Sequence, residues 1–326
     1  MNESLGIIQS YCQKYKLNEE QASVVQDNAL KICLAYSNDE SALSNINPIS
    51  LVHGPFGSGK SLVLGVLIIV LYDLKSHFID EFRNFKDLRV LVCSMTNAAV
   101  DRVLLSVLRL GFNELVRVGN PKRVSKLLVP FLSKNSTSNF ENDYPSSEAY
   151  DQTSSFEKDY FSDEEFYPSD KNIDNSFLVG STCLSAANPS LSSQSFPLIL
   201  VDEVGQVPEY MTLIPITRLN CQFIVLVGDP EQLPPTVSRK SDSMTVESGL
   251  GRSLFDRMAL LGNVPKLLST QYRCHPQISK LLNMLFYKNR LVDGISEKDR
   301  LSVFQGLPSM SFIDVYEGSV RARFII

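Results

Sequence analysis

Residues 49–61, ISLVHGPFGSGKS, constrain this chain more than any other stretch. Ile49 to His53 reads as a short, β-branched, buried strand. Gly54, Pro55, Phe56, Gly57, Ser58, Gly59, Lys60 and Ser61 then fit G-x-x-x-x-G-K-[ST]. An apolar run without proline follows from Leu62 to Leu71, as a buried helix requires. The glycines let backbone N–H groups converge on a phosphate, and the helix N-terminus adds its positive end. Lys60 is placed to reach the β- and γ-phosphates and the Ser61 hydroxyl to hold Mg²⁺. The strand–loop–helix setting favours this over a glycine-rich turn that happens to carry a lysine.

A second signal lies at Leu198–Val201, a continuous apolar strand that runs into Asp202-Glu203-Val204-Gly205-Gln206. An acidic pair at the end of a buried strand is costly unless it meets a cation. With a phosphate loop upstream, Asp202 is the expected holder of the Mg²⁺ that Ser61 also touches. Glu203 is the expected polariser of an attacking water. A third such strand, Phe223–Val227, ends in GDPEQLPP and sets Gln232 just past a strand's carboxyl end, where open α/β sheets bind ligands.

Net charge, −5, at first argues against a polyanionic partner, but it is unevenly spread. Residues 133–176 hold eleven acidic and three basic residues; the remainder holds 28 basic and 25 acidic. The rest of the chain is thus mildly basic, compatible with a groove that tracks phosphates. The 133–176 stretch lacks aliphatic periodicity and reads as a disordered insertion. Its eight aromatic residues among acids suit either a partner-docking segment or a solvated loop, and Ser162 before Asp163-Glu164-Glu165 suits an acid-directed kinase. No apolar run reaches membrane-spanning length, and the first 21 residues lack a signal-peptide layout. Six cysteines are scattered without a CxxC pair, so a zinc site is unsupported and buried reduced thiols are expected.

Other residues carry two readings each. Gln21, three residues after Asn18, is either the partner of a capping box or an adenine-edge contact. Ser94, Thr96 and Asn97, at the turn from strand Val90–Cys93 into a helix, either cap that helix or touch a backbone phosphate. Arg273, in TQYRCHP, is either a surface arginine or a charge that reaches the transferring phosphate.

Taken together, these stretches resemble the superfamily 1 helicases of the Upf type, over about residues 17–130 and 177–315. Gln21 matches the adenine-glutamine motif, Gly54–Ser61 motif I, and Ser94–Asp101 motif Ia. Asp202–Gln206 matches motif II, Gly228–Gln232 motif III, and Gln271–Pro276 motif IV. HGPFGSGKS, AAVDRVLL, LVGDPEQLPPT, SLFDRM and TQYRCHP most resemble the helicase part of the GRF-type zinc-finger group of DNA-repair helicases. The resemblance implies an α/β, RecA-like phosphate-loop NTPase fold: a mostly parallel sheet with helices on both faces, plus the start of a second RecA-like domain. It implies ATP and Mg²⁺ as cofactors, single-stranded nucleic acid (DNA before RNA) as partner, 5′-to-3′ unwinding, and a nuclear location with a cytoplasmic alternative. It assigns Gly54, Gly57, Ser58, Gly59, Lys60 and Ser61 to phosphate and metal, Gln21 to adenine, and Asp202 to Mg²⁺. Glu203 takes water, Gln232 the γ-phosphate sensor role, Arg273 the arginine-finger role, and Ser94, Asn97 and Thr182 the nucleic acid.

The expected organisation is an N-terminal helix at 1–16, an ATPase domain at 17–270 with the acidic insertion at 133–176, and the beginning of a second domain at 271–326. Motifs V and VI of the family, and the GRF zinc finger, have no match in the chain. The chain alone is therefore expected to bind nucleotide but hydrolyse it poorly. Two rivals stand beside this reading: a nucleotide-responsive, non-unwinding scaffold that docks a partner at 133–176, and an unrelated phosphate-loop enzyme such as a small-molecule kinase.

Overall fold

Seven strands rich in Val, Ile and Leu form one parallel sheet. They are β1 (Ile49–His53), β2 (Val90–Ser94), β3 (Leu115–Val118), β4 (Leu178–Thr182), β5 (Leu198–Val201), β6 (Phe223–Gly228) and β7 (Lys266–Leu267), in the spatial order β3-β4-β2-β5-β6-β1-β7. Every pairing is parallel. Such strands lack the apolar–polar alternation of half-exposed sheets because both faces are covered. Val90, Val92, Leu198, Leu200, Val225 and Val227 belong to one core, while Leu91, Cys93, Ile199, Val201, Ile224 and Leu226 belong to the other. The structure, a computed structural model, describes residues 2–37, 46–82, 84–133, 172–236, 249–300 and 308–310.

Four helices cover the first face: α1 (Asn2–Lys14), α2 (Glu19–Tyr36), α3 (Lys60–His77) and α4 (Asn97–Arg109). Helix α3 is buried from Val63 to Leu71 without a break, which explains an apolar run with no polar stripe. Helices α5 (Glu209–Arg218) and α6 (Leu254–Leu260), with short 3₁₀ turns, contribute to the second face. The α/β, RecA-like class expected from the sequence is the observed one. No helix among the described residues is long and apolar enough to cross a membrane.

The chain divides into two units, Met1–Leu268 and Ser269–Ile326, so the boundary falls two residues before the expected 270/271. Helix α1 belongs to the first unit, with Ile8 and Cys12 in its core. In the second unit, β8 (Thr270–Gln271) pairs in parallel with β9 (Val292–Asp293) beside helix α7 (Pro276–Phe286).

The expected disordered span needs correction at both ends. Ser133 is buried and donates its amide to the Arg117 carbonyl, and Ile173 is buried in the second-face core. Arg89 explains the second end: its guanidinium binds the carbonyls of Ser176 and Ile173 and stacks on Phe196. One apolar residue and a set of carbonyls suffice to order 172–176, a short segment that composition averaged over 133–176 conceals. Residues 134–171, with Ser162, lie outside the described residues.

Candidate active site

Because all seven strands are parallel, their carboxyl ends meet along one edge, and the sequence-selected residues of the first unit, Gln21 apart, gather there. The phosphate loop follows β1. Gly54 N–H donates to the Gly228 carbonyl at 2.9 Å, which anchors the loop to the end of β6. Gly59, the residue before α3, has φ +81° and no side-chain cap, so the first N–H groups of the helix lack an internal partner. This is an anion site by construction. Lys60 Nζ folds back to the Gly54 carbonyl at 2.8 Å, spanning the loop mouth where a phosphate would sit.

Gln21 satisfies both halves of its sequence reading's first alternative and adds a contact. Its backbone N–H and side-chain Oε1 complete the capping box with Asn18, at 2.9 and 3.1 Å. Its Nε2 donates to the Ser58 carbonyl at 3.0 Å, inside the phosphate loop. Gly59 is required for this approach: a Cβ there would lie 2.6 Å from Gln21 Nε2. Gln21 is 4% exposed, so the amide braces the loop from behind.

Asp202 follows β5 and is fully buried. Neither carboxylate oxygen has a well-formed hydrogen bond; the Glu203 amide helps only weakly. Burial, then the neighbouring Glu203, push the carboxyl up to about 6, partly offset by the Lys60 ammonium. A buried, orphaned carboxylate near a phosphate loop fits a divalent cation held jointly with Ser61 of α3's first turn. Glu203 adopts φ +54°, a left-handed conformation that a non-glycine residue rarely takes, and its Oε1 pairs with Arg102 Nη1 at 3.0 Å.

The loop after β6 is tied back to β1. His53 Nε2 lies 3.0 Å from Asp229 Oδ1, and Gln232 Nε2 donates to Asp229 Oδ2 at 2.7 Å. Thus Gln232 is positioned through the residue that precedes the phosphate loop. Neither His53 nor Asp229 stands out for this role in the sequence, where the available signals are a histidine immediately before GPFGSGKS and an aspartate in GDPEQ.

The residues expected to face nucleic acid are partly spoken for. Asn97 Oδ1 accepts from Arg117 Nη2 at 2.8 Å, Thr182 Oγ1 bonds Ser185, and Ser94 is buried with its hydroxyl unpartnered. Beneath Asn97 sits an ion pair that the sequence reading missed. Arg117, fully buried in β3, binds Asp101 Oδ1 at 2.7 Å and the Val118 carbonyl at 2.7 Å. Asp101 Oδ2 accepts from the Ser125 amide at 2.7 Å. This network joins α4, β3 and the segment after it.

In the second unit, Gln271 organises the QYRCHP turn. Its Oε1 accepts from the Arg273 and Cys274 amides, and its Nε2 donates to the Cys274 carbonyl and Asp293. His275 caps α7 from its ring nitrogen, ahead of Pro276. Arg273 stands exposed at the tip of the turn, its carbonyl held by Arg300.

Two family models, both described as "AAA domain", match the chain: one over residues 16–143 and 131–240, the other over 250–323. The 5'-3' DNA helicase ZGRF1 of Mus musculus is 37% identical over 311 residues, covering 92% of this chain and 16% of that protein. The "Regulator of nonsense transcripts 1 homolog" of Neurospora crassa is 30% identical over 268 residues, covering 78% and 23%. The "ATP-dependent helicase upf1" of Schizosaccharomyces pombe is 29% identical over 269 residues, covering 78% and 27%. The chain therefore spans between about a sixth and a quarter of the length of these relatives.

Proposed function

The chain belongs to the superfamily 1, Upf-type helicases, and from that premise we propose that its first unit is the ATP-hydrolysing half of a DNA-directed, 5′-to-3′ motor. The observation that carries this reading is Asp202: a fully buried carboxylate without a well-formed hydrogen bond, within electrostatic reach of Lys60. Structure alone leaves such a group unstable, whereas a metal–nucleotide complex makes it useful.

Mg²⁺ held by Asp202 and Ser61 would draw charge from the β- and γ-phosphates of ATP. Lys60 leaves the Gly54 carbonyl and takes up a phosphate oxygen instead. Backbone N–H groups of Gly57, Ser58 and Gly59 and of the first turn of α3 supply the rest of the cradle, and Gln21 holds that cradle in shape. An adenine contact by Gln21 is the second part of its role. Glu203 exchanges Arg102 for a water and aligns it for attack. Gln232, aimed by Asp229, registers the γ-phosphate. The family resemblance gives Arg273 the arginine-finger role, worth on the order of 10³–10⁵ in rate.

Ser94, Asn97 and Thr182, at the ends of β2, α4 and β4, mark the edge over which single-stranded DNA would run. A nuclear location, with a cytoplasmic one as the alternative, belongs to the same proposal. The test is phosphate release from Mg·ATP, with and without a single-stranded oligonucleotide. Release above that of Glu203→Gln, and raised by the oligonucleotide, is expected; equal release from both proteins overturns the proposal.

A further inference from the structure

Asp229, the residue after β6, is buried and gathers hydrogen bonds from two strands' ends. Its Oδ1 accepts from the Glu231 amide at 3.2 Å and lies 3.0 Å from His53 Nε2, and its Oδ2 accepts from Gln232 Nε2 at 2.7 Å. A carboxylate oxygen can only accept, so His53 Nε2 must carry its hydrogen. His53 is itself fixed. It is the last residue of β1, in register with Gly228 of β6, and its carbonyl accepts from the Leu268 amide at 2.9 Å. The next residue, Gly54, donates to the Gly228 carbonyl, so the imidazole and the phosphate loop share one backbone anchor. The main chain of Asp229 reaches a third element. A Cβ added to Gly205 would lie 3.0 Å from the Asp229 carbonyl oxygen, so the buried turn that follows Glu203 packs directly against it. One aspartate thus joins the strand of the phosphate loop, Gln232 and the Glu203 turn.

We propose that His53 is a positioning residue for phosphoryl transfer: by holding Asp229 it sets the reach of Gln232 to a γ-phosphate and keeps the Glu203 turn in step with the phosphate loop. The inference rests on the ATPase reading above and deepens it, by naming the group that gives the site its discrimination between a nucleoside triphosphate and a diphosphate. The loop amides and the first turn of α3 meet the β-phosphate in either nucleotide. Gln232 meets the γ-phosphate, so its misplacement costs the triphosphate more than the diphosphate. Without the imidazole donor, the buried carboxylate has one hydrogen bond fewer. It turns toward its remaining donors and carries Gln232 with it.

Calorimetry on the whole chain with Mg²⁺ tests this, using ADP and the β,γ-imido analogue of ATP, which keeps a γ-phosphate and resists hydrolysis. His53→Leu keeps most of the volume and removes the donor; its unfolding midpoint is measured alongside. The ratio of imido-nucleotide affinity to ADP affinity is expected to fall about tenfold from the wild-type value, the scale of one lost hydrogen bond to a charged group. A merely structural role would weaken both nucleotides and leave the ratio in place. His53→Gln puts an amide N–H the same number of bonds from Cα as imidazole Nε2, and is expected to keep the wild-type ratio. Gln232→Ala should lower the ratio as His53→Leu does, and combining the two should lower it no further, because both act through one carboxylate. A wild-type ratio in His53→Leu, or losses that add in the double variant, overturns the role of His53. If His53→Leu does not fold, His53→Gln decides, and a ratio about tenfold below wild type overturns the role. A wild type that binds neither nucleotide overturns the ATPase reading instead.

Discussion

Gln21 Nε2 donates to the carbonyl of Ser58 at 3.0 Å, so the helix ahead of β1 physically supports the phosphate loop 37 residues later. Gln21→Ala removes a buried donor and acceptor together and leaves the Ser58 carbonyl and the Asn18 amide short of a partner. The cost should be about 1–3 kcal/mol. Mg·ATP affinity should fall with it. Comparing ATP with GTP separates the two roles: a loss confined to the brace weakens both nucleotides equally, whereas an adenine contact makes the loss specific to ATP.

Asp202 titrates near 6 in the folded chain against an ordinary 3.8. The folded state therefore holds that proton more tightly than the unfolded chain does. This contribution to stability is complete below about pH 4 and is lost as pH rises through about 6. Asp202→Asn removes the buried charge and should stabilise the nucleotide-free protein by about 2–3 kcal/mol at pH 7.5, a gain that fades toward pH 4. Mg·ATP should then raise the unfolding midpoint of the wild type and do so far less for the variant. Denaturant unfolding at both pH values, with and without Mg·ATP, reads all of these differences.

Arg117→Met leaves Asp101 buried without its cation. Breaking a buried pair from one side costs about 3–5 kcal/mol. The same variant frees Asn97 Oδ1, so oligonucleotide binding at the carboxyl edge should change as well as stability. Asp101→Asn with Arg117→Met, which removes both charges, should recover much of the stability; a double variant as unstable as the single one contradicts the pairing.

Most of the sheet was legible because parallel strands covered on both faces are continuous apolar runs between turns, and three of them, β1, β5 and β6, lead to residues that chemistry demanded: Gly54, Asp202 and Gly228. Arg117 was not legible. In LVRV it alternates with two valines and looks like the exposed face of a half-buried strand, but β3 is covered on both sides and the arginine must find a carboxylate. That carboxylate, Asp101, is 16 residues earlier on a helix, and no local pattern links them. Arg102 and Glu203 are 101 residues apart, and only the parallel arrangement of β2 and β5 brings their elements together. The ordered ends of 133–176 were hidden for the opposite reason: Ile173 and its carbonyls are a small apolar and polar anchor within a strongly acidic composition.

The central claim is that Gly54–Ser61 and Asp202-Glu203 together form a Mg·ATP site. Equilibrium binding of a fluorescent ATP analogue, with and without Mg²⁺, tests it most directly across wild type, Lys60→Ala and Glu203→Gln. The predicted result is Mg²⁺-dependent binding by the wild type, retained in Glu203→Gln and lost in Lys60→Ala. Equal binding by the two variants, or binding by the wild type that ignores Mg²⁺, would contradict it.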